Sequence, residues 1–168
     1  MEKFELTTDR IEENGTILYR IKALIDFGDV KAGDLGGYVE KEENLSQYGS
    51  AWVYDNAFVL GNARVSDNAL VCGDTLVCGN AQVYGNAQVY DNAWVSGNAD
   101  YIYLKGFGSH SRSTTMFRGE NENIYVSCGC FSGTLEEFEN KVKETHGNNR
   151  FAREYLALVE AAKIHFEV

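Results

Sequence analysis

The sequence predicts a mainly-β protein: a coiled stack of six-residue strand-and-turn units, preceded by a β-hairpin cap and followed by a small α+β unit of order ββαα. Three observations carry that prediction. Valine recurs without a slip at Val53, Val59, Val65, Val71, Val77, Val83, Val89 and Val95. Two residues before each stands a small residue: Ala51, Ala57, Ala63, Ala69, Thr75, Ala81, Ala87 and Ala93. Before each small residue from Ala57 on comes Asn or Asp, itself preceded by Gly or Asp. Residues two apart in a strand point to one face, so each small residue and its valine look inward together. Such a unit cannot close a core alone and has to stack on copies of itself. The period of six excludes an amphipathic helix, and the fixed valines exclude a featureless Gly/Asn loop.

Residues 1–44 lie outside the repeat. Phe4 to Arg10 and Thr16 to Asp26 read as strands joined through Glu13-Asn14-Gly15, and Asn-Gly favours a type I′ hairpin turn. An open end of a repeat array needs a cap over its core and strand edges, and this hairpin supplies one. Asp34 to Val39 leads into the coil. Leu45 stands at the small-residue phase, so coiling is expected to start there and to run through residues 45–100. The repeat resembles that of hexapeptide-repeat proteins with a left-handed parallel β-helix, in which three units make one triangular coil of eighteen residues.

With that coil length the outward side chains sort into three walls. One carries Trp52, Tyr54, Leu70, Cys72, Gln88 and Tyr90; the second carries Phe58, Leu60, Leu76, Cys78, Trp94 and Ser96. Both are too apolar for open solvent, so they are expected to be covered by the chain's own ends, by another subunit or by a ligand. Trp52, Tyr54, Phe58, Leu60, Leu76 and Trp94 are the interface candidates, and the resemblance favours a trimer. The third wall, Arg64, Ser66, Gln82, Tyr84, Asp100 and Ile102, is polar enough to face water.

Residues 101–168 follow a different pattern. Tyr101 to Gly106 and Ile124 to Phe131 read as strands around a polar Ser/Thr-rich connection from Gly106 to Asn123. Thr134 followed by Glu137 is a capping box, starting a helix that carries Leu135, Phe138 and Val142 on one face and stops at Gly147. A second helix from about Asn149 to Phe166 places Phe151, Tyr155, Leu158, Val159 and Ala162 at helical spacing. This unit is expected to pack on one of the apolar walls.

Composition narrows the function classes. The 168 residues, 44% hydrophobic, suffice for one repeat domain plus a small appendage. With 25 Asp+Glu against 15 Lys+Arg, a formal charge of -10 and no basic run, long nucleic acid is not an expected partner. No apolar run is long enough for a membrane span and the start shows no signal-peptide pattern, so a cytoplasmic protein is expected. Cys72 and Cys78 fall on different walls, which argues against a bridge. Cys128 and Cys130 read as facing one side of a strand, and the distant His110, His146 and His165 give no metal-ligand spacing, so neither metal nor cofactor is expected.

The stretch Gly36-Gly37-Tyr38-Val39-Glu40-Lys41-Glu42-Glu43-Asn44-Leu45-Ser46, the Val-Tyr-Gly-Asn-Ala-Gln repeats and Cys128-Gly-Cys130-Phe131-Ser132-Gly133-Thr134-Leu135-Glu136-Glu137-Phe138 together resemble bacteriophage and prophage hexapeptide-repeat proteins. The similarity spans nearly the whole chain. It implies a phage origin, location in the host cytoplasm and counter-defence by binding a host protein or sequestering a signalling nucleotide.

Two functional classes follow. Hexapeptide-repeat acyltransferases are the alternative reading; the resemblance implies a histidine base in or beside the coil, yet no histidine lies between residues 1 and 109, and His110 sits in a polar loop. The favoured reading is non-catalytic binding of a small phosphorylated nucleotide or a host defence protein by a homo-oligomer. Ser109, Ser111, Arg112, Ser113, Thr114, Thr115 and Arg118 supply hydroxyls and guanidinium forks for phosphate, with Phe117, Tyr125 and Phe131 to stack a base. Ser132, Gly133 and Thr134 open a helix whose free N–H groups suit an anion. No catalytic residue is assigned.

Overall fold

A computed structural model describes residues 2–168, Glu120 by its backbone only; Met1 lies outside the described residues. The chain forms two compact units, residues 1–98 and 99–168.

In the first unit β1 (Phe4–Glu13) and β2 (Thr16–Ala23) form the expected hairpin. Asn14 and Gly15 both hold positive φ, 50° and 82°, as a type I′ turn requires. Antiparallel to β2 runs β3 (Leu35–Val39), whose other edge pairs in parallel with the repeat. The repeat itself consists of two-residue strands: β4 (Trp52–Val53), β5 (Phe58–Val59), β6 (Arg64–Val65), β7 (Leu70–Val71), β8 (Leu76–Val77), β9 (Gln82–Val83), β10 (Gln88–Val89) and β11 (Trp94–Val95). They stack as three parallel sheets: β3-β5-β8-β11, β4-β7-β10 and β6-β9. Partners such as Val59 and Val77 are eighteen residues apart, one coil. The repeat is a β-solenoid of about three turns.

All eight valines are fully buried, and the small residues before them are at most 2% exposed. The corners turn where the residue two before each small residue takes positive φ: Asp55, Gly61, Asp67, Gly73, Gly79, Gly85 and Asp91 lie between 52° and 73°. That column requires Gly or the short polar Asp, which explains why no bulkier residue interrupts it. The following Asn side chains bridge coils, Asn62 to Asn80 at 3.2 Å and Asn68 to Asn86 at 3.1 Å. Thr75, the lone departure from alanine, places its hydroxyl 2.6 Å from the Cys72 carbonyl and 3.2 Å from that of Asp91, so its polar atom stays satisfied inside.

The solenoid begins one six-residue unit earlier than the spacing predicts. Tyr38 and Val39 pair with Phe58 and Val59, and Leu45 bridges Val65. Leu45 therefore occupies a valine position, not the small-residue position. Eight residues instead of six separate it from Val53, and the two extra residues shift the phase. Gln47 within that insertion accepts from the backbone N–H of Lys3 at 2.7 Å and donates to the Phe4 carbonyl at 3.3 Å, tying cap to coil. At the other end the third wall stops at β9: Asp100 closes a short 3-10 turn and Ile102 belongs to the second unit's sheet.

The hairpin cap corrects one interface candidate. Trp52 is 1% exposed, with the rings of Phe27 and Phe4 edge-on at 5.3 and 6.3 Å, so the chain itself covers this residue. Beside it Lys3 is buried, its Nζ donating to the Ala51 carbonyl at 2.9 Å and lying 5.0 Å from the Phe27 ring centre. Burial pulls its pKa down to about 8. Trp94, in register with Leu76 and Phe58 on the second wall, stays 62% exposed.

The second unit is a four-stranded antiparallel meander, β12 (Tyr101–Phe107), β13 (Arg112–Arg118), β14 (Ile124–Cys128) and β15 (Phe131–Thr134), followed by α1 (Leu135–His146) and α2 (Arg150–Phe166). Its order is ββββαα, not ββαα. The Ser/Thr-rich segment is an inner strand because its hydroxyls find partners within the unit: buried Thr114 donates to Cys128 Sγ at 3.2 Å. Cys128 and Cys130 do not share a face; Gly129 and Cys130 form the β14–β15 turn, leaving Cys128 buried and Cys130 exposed. Both helix starts follow their caps. Thr134 accepts from the Glu137 N–H at 3.2 Å while Glu137 accepts from the Thr134 N–H at 2.8 Å, and Asn149 accepts from the Ala152 N–H at 3.0 Å. The helices bury Leu135, Phe138, Val142, Ala152, Tyr155, Val159, Ala162 and Phe166 against Met116, Ile124 and Val126 of the sheet.

Candidate functional site

The second unit holds a cleft of about 450 Å³, within the size range of small-molecule sites. The β12–β13 turn contributes Ser109, His110 and Arg112, the β14–β15 turn contributes Cys128, Cys130 and Phe131, and the helices contribute Phe138, Lys141, Val142, Thr145, His146 and Tyr155. Arg112, Lys141 and two histidines line it and, among the described residues, no Asp or Glu does, in a chain with 25 acidic residues. The floor is aromatic. Phe131 and Phe138 have ring centres 5.2 Å apart, Phe138 meets Tyr155 edge-on at 5.5 Å, and His146 stacks on Tyr155 at 5.9 Å.

Arg112 is half-buried, with Nη1 3.8 Å from Cys130 Sγ and no carboxylate partner among the described residues. Its guanidinium lies against Gly129, where any Cβ would collide with it and where φ is 63°. Gly129 is thus needed both for the tight turn and for the position of the arginine. Lys141 has an acidic partner, Glu144 at 2.8 Å, but both side chains are more than half exposed, so the pair holds the ammonium loosely.

Helix α2 fixes the β12–β13 turn through two consecutive residues. The Glu154 carboxylate accepts from the Gly108 N–H at 3.1 Å, and the Tyr155 hydroxyl donates to the Phe107 carbonyl at 3.4 Å. Burial and the contact with the Cys128 thiol push the Tyr155 hydroxyl up to about 12, so it sits in the floor as a neutral phenol.

Of the residues expected to bind phosphate or stack a base, the structure brings Ser109, Arg112 and Phe131 into this cleft. The others separate for identifiable reasons. Ser111 holds the tight turn at φ 49°. Ser113 lies with its hydroxyl 3.3 Å from that of Tyr103. Thr114 and Thr115 are buried in the sheet, and Phe117 is buried and stacked on Tyr125 at 6.1 Å. Arg118 donates to the Phe166 carbonyl at 3.0 Å, tying β13 to the end of α2. Ser132 and Gly133 pair with Ser127 and Val126 as strand residues, and Thr134 serves as the helix cap. The loop and the helix start therefore do not converge on one anion site.

The residues the sequence reading missed are chiefly Lys141, Thr145 and His146, with Cys130 and His110 read as structural or solvated. One signal was present: Phe138, Lys141, Val142 and Thr145 recur at i, i+3, i+4 and i+7, a single face of α1.

A family described as the YdcK β-solenoid repeat matches residues 63–79 and 81–97, within the coils. A relative described as "Uncharacterized acetyltransferase YdcK", from Escherichia coli (strain K12), is 38% identical over 63 residues, which is 33% of this chain and 19% of that protein. This chain thus matches about a fifth of the relative's length. Among the described residues no helix is long and apolar enough to cross a membrane. What the matches and the coordinates have in common is the repeat, and the central part of this chain is a β-solenoid.

Proposed function

We propose that the protein binds a small phosphorylated ligand, of nucleotide type, in the cleft of its second unit and does not turn it over. The observation that carries the reading is the carboxylate-free cationic lining over an aromatic floor in an otherwise acidic chain. A guanidinium fork pairs with phosphate oxygens, and Phe131 and Phe138 offer ring surface to a base. The resemblance to phage proteins supplies the context: capture of a host signalling nucleotide, or of a host defence protein, in the host cytoplasm. Trp94, Leu76 and Phe58 on the second wall are the proposed contact between copies of a homo-oligomer, with a trimer as its expected state. In light scattering Trp94→Asp should lower the assembled mass; a parent already monomeric would overturn that part.

The binding reading is tested by calorimetric titration with a panel of mononucleotides and cyclic nucleotides, ADP among them. Arg112→Ala should weaken the bound member about tenfold or more, the loss of a charged hydrogen bond of roughly 1.5–3 kcal/mol, with the melting temperature unchanged. His110→Ala should change it little. Equal binding by Arg112→Ala would remove the arginine from the site.

A second reading, acyl transfer, is favoured by the acetyltransferase description of the relative. The solenoid itself offers it no histidine base, since the chain has none before His110. Catalytic acyl transfer lost specifically in His110→Ala would move the protein to that class.

A further inference from the structure

We propose that Cys130 is a modification site, at which a small anionic disulfide of the glutathione class forms a mixed disulfide that closes the cleft to its ligand. The proposal rests on the reading that the cleft takes small anions, and adds a means of regulating it. Three independent features meet at this thiol. It is exposed, on a turn that lines a cleft large enough to hold the attached group. The Arg112 guanidinium, with no carboxylate partner among the described residues, lies 3.8 Å from Sγ, and Lys141, only loosely paired with Glu144, lines the same cleft, so the carboxylates of an incoming glutathionyl group meet both cations. Cys128, the only other cysteine in the cleft, is buried, with its Sγ 3.2 Å from the Thr114 hydroxyl and 3.7 Å from that of Tyr155.

The chemistry is a single exchange. Cys130 gives up its proton to solvent, its thiolate attacks one sulfur of the disulfide, and a bond forms between Cys130 Sγ and that half. The original S–S bond breaks, and the other half leaves as a thiolate that takes up a proton. Cys130 is oxidised and the departing half reduced, so the disulfide is the only oxidant required. Because the Cys128 thiol is packed between two hydroxyls, it cannot readily expel the adduct, which persists until an external thiol removes it.

The solenoid cysteines provide an internal contrast. Cys72 is half-buried, and burial together with Asp55 and Asp91 pushes its thiol up, away from the reactive thiolate. Cys78 is also half-buried.

The test incubates native protein with glutathione disulfide or with cystamine, a cationic disulfide, and reads each cysteine-bearing peptide by mass spectrometry. At Cys130 the rate ratio of glutathione disulfide to cystamine should exceed the ratio at Cys72 and Cys78 by about fivefold, the effect of two partly exposed ion pairs. Arg112→Gln should reduce that preference. A ratio at Cys130 no greater than at the solenoid cysteines would overturn the proposal, as would glutathionylated protein that binds ADP as the parent does. If unmodified protein binds no member of the nucleotide panel, the binding reading fails, while the charge selectivity at Cys130 still decides this proposal.

Discussion

Val77→Asp is expected to prevent the first unit from folding. Val77 is fully buried and pairs across the stack with Val59 on one side and Val95 on the other, so its side chain has coils above and below it and no water. A carboxylate there has no cation within the column of alanines and valines. Its burial costs several kcal/mol, comparable with the ~5–15 kcal/mol that separates a whole domain from its unfolded chain. Circular dichroism and solubility should both report the loss. Gln82→Ala, on an exposed outward position of β9, should stay within about 0.5 kcal/mol of the parent. A soluble, normally melting Val77→Asp protein would contradict the inward assignment of the valines.

Trp52→Ala should be the most damaging truncation on an outward-facing position of the coils. Its indole is the largest fully buried side chain, closed over by Phe4 and Phe27, and truncation leaves a cavity under the cap. A loss of about 3–5 kcal/mol is expected in denaturant titration. Trp94→Ala, at 62% exposure within its own subunit, should cost little in the same assay run at a dilution where copies do not associate. The chain has only these two tryptophans, so Trp94→Ala leaves Trp52 as the one fluorophore, and it should emit as a buried indole. Equal destabilisation by the two truncations would show that the hairpin does not seal the coil.

The solenoid was legible because its physics is local and periodic: a small residue, a valine and a positive-φ corner every six residues leave few alternatives. Its start was misread because Leu45 suits either phase, and the insertion that shifts the register is held by Gln47 bonding to Lys3 and Phe4, more than forty residues away. β13 was missed for a related reason. Ser113, Thr114 and Thr115 read as loop residues offering hydroxyls to phosphate, whereas the buried Thr114 hydroxyl is satisfied by a cysteine on the neighbouring strand. The helices were legible from their caps, since Thr134 and Asn149 act within three residues of themselves.

The cleft was only half legible. Ser109 and Arg112 stood out by residue type, but the cleft is assembled from two strand turns and two helices, and no local pattern brings Cys130 beside Arg112 or sets His146 on Tyr155. The same distance in sequence explains why Ser132, Gly133 and Thr134, plausible as an anion-binding helix start, are instead spent on strand pairing and capping.

The central claim, that the cleft holds a small phosphorylated molecule and leaves it intact, is tested most directly by native mass spectrometry of parent and Arg112→Ala protein after exposure to a nucleotide-rich cell extract. The released molecule is then identified after heat denaturation. The account predicts a phosphorylated small molecule on the parent, returned chemically unchanged, and absent or strongly depleted on the variant. A parent that retains no small molecule, an altered product, or equal retention by Arg112→Ala would contradict it.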